Sequence, residues 1–237
     1  MTSSPPVDDF TFTETPFEVE LVDKLGSDLT VVNSARISFG SEHKTVSAGD
    51  KKLIGFLARE KHYSPFRHCM LQFRIKAPEF VLRQVFKHAV GIEVTSTYPT
   101  KDSAWNEISG RYKQYKEIYI PPVWYTQHAT AKQCSAGPHE NQEDMKETYL
   151  TGVKSNLDAY KKLIQQGVSK EQARMLLPLT FMTEVVWTAS LQAIQNFVSL
   201  RDSPHAQQEI RLLAQEIRVL AEREYPVSFG ALMECEK

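Results

Sequence analysis

The sequence is poor in cysteine and has no long apolar run, and each absence excludes a class of protein. Its 237 residues include three cysteines, Cys69, Cys134 and Cys235, with no Cys-x-x-Cys pair. An odd number of cysteines without that spacing predicts neither a disulfide framework nor a zinc ribbon, and it favours a reducing, cytoplasmic setting. No segment approaches the roughly 20 apolar residues that span a bilayer, and residues 1–6 lack the features of a secretory signal. We therefore expect a soluble protein that is not exported.

An excess of charge of either sign is also absent. The 28 basic residues balance 29 acidic ones, and the formal net charge is -1. Such a chain has little overall field to attract a polyanion, so neither nucleic acid nor a membrane is expected as a partner. The seven histidines form no His-Glu-x-x-His motif, and no metal site is predicted. No sequence signal places a base beside any of the cysteines, so none is expected to act as a nucleophile.

The pattern combines few strands with many helices, which is typical of the α+β class. Residues 1–16, rich in Ser, Pro, Asp and Thr, predict a mobile tail, and residues 17–237 predict one domain. An amphipathic pattern predicts a long helix over 141–166, which Gly167 ends. Ser203 and Pro204 predict the start of the last long helix. Residues 90–104 have no helical period and are longer than an ordinary loop, which suggests a functional role.

Groups that bind anions recur on one helix face and in one short segment. The helix predicted over residues 78–88 carries four polar groups on one face: Arg83, Gln84, Lys87 and His88. The segment 105–112 then combines an amide, a carboxylate, a hydroxyl, a glycine and a guanidinium. Such a segment can wrap a nucleotide, with Ser109 near a phosphate, Arg111 as a bidentate donor and Gly110 allowing close approach. A single arginine is more simply a solvated surface residue, but the grouping favours a binding site.

At these residues the chain resembles the flavin-dependent thymidylate synthases, the ThyX family. The family motif is Arg-His-Arg followed, after two residues, by Ser-x-Asn-Glu-x-Ser-x-Arg-Tyr. Its second half is intact at residues 106–112, whereas its first half is altered to Lys87-His88-Ala89, and an insertion at about 90–104 separates the two. Further matching segments follow in the expected order between residues 17 and 230: 31–39, 64–68, 77–84, 171–179 and 196–207. The resemblance implies a ThyX-like catalytic domain with a small, mostly antiparallel sheet flanked by several long helices.

The same resemblance implies an enzyme that reductively methylates C5 of dUMP to give dTMP. The carbon comes from methylenetetrahydrofolate and the electrons from NADPH through FAD, and no enzyme cysteine attacks the pyrimidine. The chain agrees with this, because it lacks the Pro-Cys pair of the unrelated thymidylate synthases that use a cysteine nucleophile. Members of the family form homotetramers whose active sites are shared between subunits, and we expect a homotetramer here.

The family pattern also implies roles for individual residues. Arg201 is expected to polarise the uracil ring, a task that suits a permanently cationic guanidinium. The nucleotide is expected to contact Arg83, Gln84, Glu107, Ser109, Gly110, Arg111, Arg174 and Arg201. The residues expected around FAD are His62, Ser64, Lys87, His88, Glu107, Asn196 and His205. His205 has an equally good structural interpretation, as a residue that stabilises the turn at Ser203 and Pro204.

Departures from the family pattern leave the substrate and the affinity for FAD open. Lys87 and Ala89 replace arginines that grip the flavin diphosphate, so either the insertion supplies a substitute cation or FAD binds more weakly. Ser190 and Gln192 stand where the family tends to carry Asn and Arg near the flavin, and Ala104 replaces a serine. A second hypothesis is therefore methylation of UMP, alone or with dUMP, in nucleoside secondary metabolism. A third is a catalytically inactive nucleotide-binding regulator.

Overall fold

The structure is a computed structural model that describes residues 9–88, 104–131 and 134–235. These residues form two compact units, each drawn from three segments of the chain. The first unit contains the described residues of Met1–Glu18, Lys76–Arg83 and Glu107–Val185, and the second unit contains those of Val19–Ile75, Gln84–Asn106 and Val186–Lys237. Both units are discontinuous in sequence, so the division does not follow the boundary predicted between residues 16 and 17.

The described residues form eight strands: β1 (Thr11–Thr13), β2 (Glu18–Leu25), β3 (Met70–Pro78), β4 (Ala104–Glu107), β5 (Glu117–Tyr119), β6 (Tyr125–Gln127), β7 (Ser135–Pro138) and β8 (Met182–Ser190). Four of them form a sheet in the order β2, β3, β8, β4. Strand β6 pairs with β7 antiparallel, whereas β1 pairs with β5 parallel. The small antiparallel sheet and the mixture of helices and strands confirm the predicted α+β class.

Eight α-helices accompany the strands in the same described ranges: α1 (Asp28–Arg36), α2 (Ala48–Arg59), α3 (Glu79–Phe86), α4 (Gln142–Gln165), α5 (Lys170–Ala173), α6 (Leu191–Arg201), α7 (Gln208–Glu224) and α8 (Ser228–Glu234). Short 3₁₀ helices lie at Ile37–Phe39, Ser64–His68 and Arg174–Leu176. None of the helices in these ranges combines the length and apolar character that a membrane span needs. Residues 90–103 of the predicted insertion, together with Ala89, lie outside the described residues.

The core of the first unit is built on helix α4. Its buried face, made of Val153, Leu157, Tyr160 and Ile164, packs with residues of neighbouring segments: Tyr115, Ile118, Ala173 and Leu177. Gly167 has φ +84°, in the left-handed region that a residue closing a helix requires, as the sequence predicts. The ring of Phe10 lies edge-on to Tyr160 with centroids 5.8 Å apart, and Thr11 donates its N–H to the carbonyl of Lys116 at 2.8 Å. These contacts order part of the segment predicted to be a mobile tail, so that boundary was placed too late.

The second unit packs its helices around an apolar core. Its fully buried side chains include Val31, Ile54, Phe73, Phe197, Ile210, Ile217 and Phe229. The predicted start of the last long helix at Ser203 and Pro204 is wrong, because α7 begins at Gln208. Residues 203–206 form a turn closed by a bond from the Ala206 N–H to the Ser203 carbonyl at 2.9 Å. Gln207 is extended at ψ 142°, so the helix cannot continue back into that turn.

Helix α8 is capped by a residue from the other end of the chain. One carboxylate oxygen of Asp28 accepts the N–H of Val227 at 3.1 Å, and the other accepts the N–H of Ser228 at 2.8 Å. These are donors that the helix cannot satisfy internally, and Asp28 is itself buried. Asp28 therefore joins α1 to the start of α8.

We expect Asp28→Ala to destabilise the protein by about 1–3 kcal/mol, because two N–H groups lose their acceptor in a buried place. For a chain of this length the loss corresponds to a fall of several degrees in the melting temperature. Differential scanning fluorimetry of the purified protein measures it, with the exposed Asp158→Ala on α4 as the matched control. Equal melting temperatures for the two variants would show that the cap is energetically unimportant.

Candidate functional site

The segment predicted to wrap a nucleotide forms a tight turn after strand β4 in the first unit. Ile108 donates its N–H to the carbonyl of Glu184 in β8 at 3.0 Å, which fixes the end of the strand. The carbonyl of Ser109 then accepts the N–H groups of both Tyr112 and Lys113 at 3.0 Å. The polar side chains of the motif are thus presented by a backbone that hydrogen bonds hold at both ends.

Gly110 is required in this turn because Tyr115 lies against its backbone. The N–H of Gly110 donates to the Tyr115 hydroxyl at 3.2 Å, and that hydroxyl donates to the Ile108 carbonyl at 3.2 Å. A Cβ atom on Gly110 would lie 2.5 Å from Cε2 of Tyr115. The Tyr115 ring is held in turn by Phe181, with centroids 4.3 Å apart. The close approach that the sequence assigned to a ligand is therefore, in the structure, an approach to Tyr115.

An open cleft of about 590 Å³ adjoins this turn, and we call it the 107–111 cleft. Four residues expected at the nucleotide line it together: Glu107, Ser109, Arg111 and Arg174. The two arginines are exposed, and Arg174 begins the 3₁₀ helix Arg174–Leu176. A cleft of this size suits a small ligand, and its guanidinium groups suit an anionic one. Gly110 and Arg83, which were also expected at the nucleotide, do not line it.

Two carboxyl groups share the cleft with the arginines. The hydroxyl of Thr183, itself buried, donates to Oε1 of Glu107 at 2.9 Å and fixes that carboxylate. Glu79, the first residue of α3, lines the same cleft and was missed by the sequence analysis. Burial, together with the negative charge of Glu107, raises the pKa of Glu79 to about 7, although the positive charge of Arg83 opposes the rise. The cleft therefore carries groups of both signs.

In the second unit the predicted catalytic arginine is bonded to a predicted cofactor residue. Arg201, the last residue of α6, donates from Nε to Nε2 of His88 at 3.0 Å. His88 is 8% exposed, and its ring lies edge-on to the buried Phe197 with centroids 5.3 Å apart. Burial, together with the positive charge of Arg201, lowers the pKa of His88 to about 4. His88 is therefore neutral at pH 7, accepts at Nε2, and holds the Arg201 guanidinium in place.

The other expected residues of the second unit are distributed over several elements. Gln84 donates its side-chain amide to Oε1 of Gln207 at 3.1 Å. Asn196 is half-buried on α6, and His62 places its ring edge-on to Phe56 with centroids 6.1 Å apart. His205 lies in the turn before α7, where its N–H donates to the Ser203 hydroxyl at 3.3 Å. The exposed members of the set are His62, Ser64, Lys87 and His205.

Comparison with known proteins assigns the chain to a family over nearly its whole length. A family model described as thymidylate synthase complementing protein matches residues 20–227, which is well over half of the chain. The chain belongs to the flavin-dependent thymidylate synthase family. Curated members support this: an enzyme of Thermus thermophilus is 38% identical over 218 residues, which cover 91% of this chain and 75% of that protein. The enzyme of Thermotoga neapolitana is 35% identical over 216 residues, which cover 91% of this chain and 90% of that protein.

Solved structures agree with the family. A UMP/dUMP methylase, PolB from Streptomyces cacaoi, bound with 5-Br dUMP, has a TM-score of 0.79 and 26% identity, and the match covers 92% of this chain and 95% of that one. The same protein bound with 5-Br UMP has a TM-score of 0.79 and 25% identity, with coverage of 96% and 97%. This flavin-dependent thymidylate synthase homologue is therefore an enzyme, and FAD is its cofactor. The hypothesis of a catalytically inactive regulator is not retained.

One departure from the family pattern has a structural counterpart. Gln192, which stands where the family tends to carry an arginine near the flavin, is 6% exposed, and its Oε1 accepts from Nε of Arg67 at 2.6 Å. Arg67 belongs to the 3₁₀ helix Ser64–His68 together with the expected cofactor residue Ser64. Asn196 follows Gln192 by four residues on α6 and so lies on the same helix face. The guanidinium of Arg67 therefore lies beside position 192. The sequence does not reveal this contact, because Arg67 and Gln192 are 125 residues apart.

Proposed function

We propose that this enzyme methylates C5 of dUMP to give dTMP, with methylenetetrahydrofolate as the carbon donor and NADPH as the reductant. The observation that carries the proposal is the 107–111 cleft, where Glu107, Ser109, Arg111 and Arg174 meet in a chain of this family. The guanidinium groups of Arg111 and Arg174 bind the phosphate, and the carboxylate of Glu107 accepts a hydrogen bond from a sugar hydroxyl.

The chemistry proposed for the ring is electrostatic and needs no thiolate. Arg201 stabilises the negative charge that develops when the uracil ring loses its N3 proton, and neutral His88 keeps its guanidinium oriented. Cys69 is buried, and burial raises the pKa of its thiol to about 11, which makes it a poor nucleophile. None of the three cysteines lines the described 107–111 cleft. The Arg201 assignment rests on the family pattern and on this local geometry.

The residues of the second unit fit an anionic, hydrogen-bonding cofactor. The exposed Lys87 and the guanidinium of Arg67 are cations suited to a diphosphate, and Ser64 and Asn196 add neutral hydrogen-bonding groups. We propose that these groups, with His88, hold FAD. When bound, FAD supplies the two-electron reduction that the methylation requires. Arg67 thereby compensates for Gln192.

Arg67→Gln is expected to weaken FAD binding at least about tenfold, because a charge-assisted hydrogen bond to phosphate is lost. Titration of the apoprotein with FAD, followed by flavin fluorescence, measures the dissociation constant without requiring turnover. Arg223→Gln, which removes an exposed guanidinium from α7, is the matched control. A dissociation constant for Arg67→Gln within twofold of the control would exclude Arg67 from the cofactor site.

A second candidate substrate is UMP. The observation that favours it is the fold match to a methylase whose structure contains 5-Br UMP. Both substrates are tested together by incubating the protein with excess FAD, NADPH and methylenetetrahydrofolate and identifying the methylated nucleotide by mass spectrometry. We expect a yellow protein that forms dTMP from dUMP. A colourless protein that FAD does not reconstitute would contradict the proposal.

We further propose a homotetramer, in line with the family. Large apolar side chains that stand exposed in the single chain support burial against other copies, notably Ile37, Phe39 and Met175. Light scattering after size-exclusion chromatography is expected to give four times the chain mass of 27.1 kDa. A monomer at micromolar concentration would contradict the proposal. The cytoplasmic setting stays a prediction.

A further inference from the structure

Glu79 is a mostly buried carboxyl group on the wall of the 107–111 cleft. Its own N–H donates to the carbonyl of Phe181 at 3.1 Å, and the N–H of Phe80 donates to the carbonyl of Leu179 at 3.1 Å. Phe181 and Leu179 line the same cleft. Two main-chain hydrogen bonds therefore fix the start of α3 at the cleft wall, and the position of Glu79 with it.

The ordinary reasons for an acidic residue at this place do not account for its burial. An acid in the first turn of a helix interacts favourably with the helix dipole, most strongly where it is partly buried. The pKa of Glu79 is nevertheless raised, so this interaction does not offset the burial of the carboxylate. The Glu79 side chain is only 19% exposed, and the nearest guanidinium atom of Arg83, a residue 66% exposed, is 3.9 Å away. An ion pair this long with an exposed partner contributes little. Within the described ranges no side chain or N–H donates a hydrogen bond to the Glu79 carboxylate, and Arg83 is its only ion-pair partner. A buried carboxylate without strong hydrogen bonds costs free energy, and a ligand that donates one would lower that cost.

The surroundings of Glu79 identify the part of a nucleotide that it can face. The charged and titratable groups that line the cleft beside it are Glu107, Arg111, Tyr115 and Arg174, and Arg83 lies on its own helix. Phosphate oxygens are repelled by carboxylates and attracted by guanidinium groups, so the phosphate belongs with the arginines. Sugar hydroxyls can donate hydrogen bonds to a carboxylate. Two carboxyl groups in one cleft match the two neighbouring hydroxyls of ribose, whereas deoxyribose lacks one of the two.

We propose that Glu79 is a specificity residue that accepts a hydrogen bond from the 2′-hydroxyl of a bound uracil ribonucleotide. The inference rests on the proposed function, which places a uracil nucleotide in this cleft. Glu107, fixed by Thr183, then accepts the 3′-hydroxyl that UMP and dUMP share. Glu79 contacts UMP alone, and the enzyme consequently acts on UMP as well as on dUMP.

The test compares UMP with dUMP in the FAD-loaded enzyme and in three variants. Glu79→Ala is expected to lower the UMP-to-dUMP ratio of kcat/KM about tenfold or more, because a hydrogen bond to a charged group is lost with one substrate only. Glu79→Gln, which keeps a neutral acceptor, is expected to fall between Glu79→Ala and the wild type. Glu143→Ala, an exposed acid in the first turn of α4, is expected to leave the ratio unchanged.

Isothermal titration with UMP and dUMP provides a readout that does not depend on turnover. The preference for UMP is expected to rise as pH increases from 6 to 8, because Glu79 with a pKa of about 7 becomes a carboxylate and a better acceptor. The preference in Glu79→Ala is expected to be flat over that range. If Glu79→Ala lost affinity equally for UMP and dUMP, or if the wild type bound only dUMP, the role of Glu79 would be overturned while dUMP methylation stayed intact. A wild type that binds both nucleotides but methylates neither would contradict the proposed function and not the binding role.

Discussion

Arg201→Ala should reduce the rate of uracil methylation by about 100- to 1,000-fold while leaving FAD bound. The size of the loss is that of removing one oriented donor from a developing negative charge. The guanidinium cannot be replaced by a nearby side chain of α6 with the same reach, since the residue before it is Leu200 and Ser199 is short. Flavin absorbance of the purified variant, set beside single-turnover formation of methylated nucleotide, separates chemistry from cofactor binding.

The same variant has a second expected signature at His88. The charge of Arg201 helps to keep the pKa of His88 low, so its removal should raise that pKa, while burial still holds it below the ordinary value for histidine. Histidine NMR signals followed over pH 4–7 measure the change, and Arg223→Ala serves as a surface control. Unchanged turnover in Arg201→Ala would show that the assigned role is wrong. An unchanged His88 titration would show that the two groups do not meet in solution.

Gly110→Ala should lower nucleotide affinity and kcat/KM by about 100-fold. The new methyl group would lie 2.5 Å from Cε2 of Tyr115, a distance that forces either the turn or the ring to move. If the turn moves, Ser109 and Arg111 are displaced from the bound nucleotide. A displacement of about 1 Å of groups that position a substrate can lower the rate about 100-fold. Moving the ring disturbs its packing on Phe181. Titration with dUMP and steady-state kinetics measure the effect.

Gly152→Ala on α4 is the matched control for that substitution. Nothing lies within 4 Å of its added Cβ, and alanine is the better helix former, so we expect unchanged kinetics and slightly higher stability. The double variant Gly110→Ala/Tyr115→Ala should recover part of the lost nucleotide affinity, because removal of the Tyr115 ring leaves room for the new methyl group. Wild-type affinity in Gly110→Ala alone would mean that the turn tolerates the methyl group and that its geometry does not set binding.

Local signals in the sequence were sufficient where structure depends on neighbours in the chain. The apolar period and Gly167 predicted α4 to within a residue at each end. Local signals gave a wrong prediction where the same residues are typical of two different structures. Ser203 and Pro204 are as typical of a turn as of a helix start, and the extended Gln207 decides between them.

The rest required tertiary contacts that no local pattern contains. Glu79 looks like an ordinary helix-dipole acid until its burial beside Glu107 is known. Arg67 gains its position from Gln192, far away in the sequence. Gly110 was expected to make room for a ligand, and only the structure shows that Tyr115 occupies that space. Part of the segment expected to be a tail is ordered by a strand pairing with β5, which a stretch of polar residues does not predict.

The most direct test of a flavin route without a cysteine nucleophile is methylation by a chain that has no thiol. In the variant Cys69→Ala/Cys134→Ser/Cys235→Ser, all three cysteines are removed, with alanine at the buried position to avoid an unpaired hydroxyl. Transfer of label from methylene-labelled methylenetetrahydrofolate to C5 of dUMP or UMP is measured with FAD and NADPH present. We predict label transfer within a few-fold of the wild-type rate. Loss of transfer in a folded, flavin-loaded variant would contradict the mechanism.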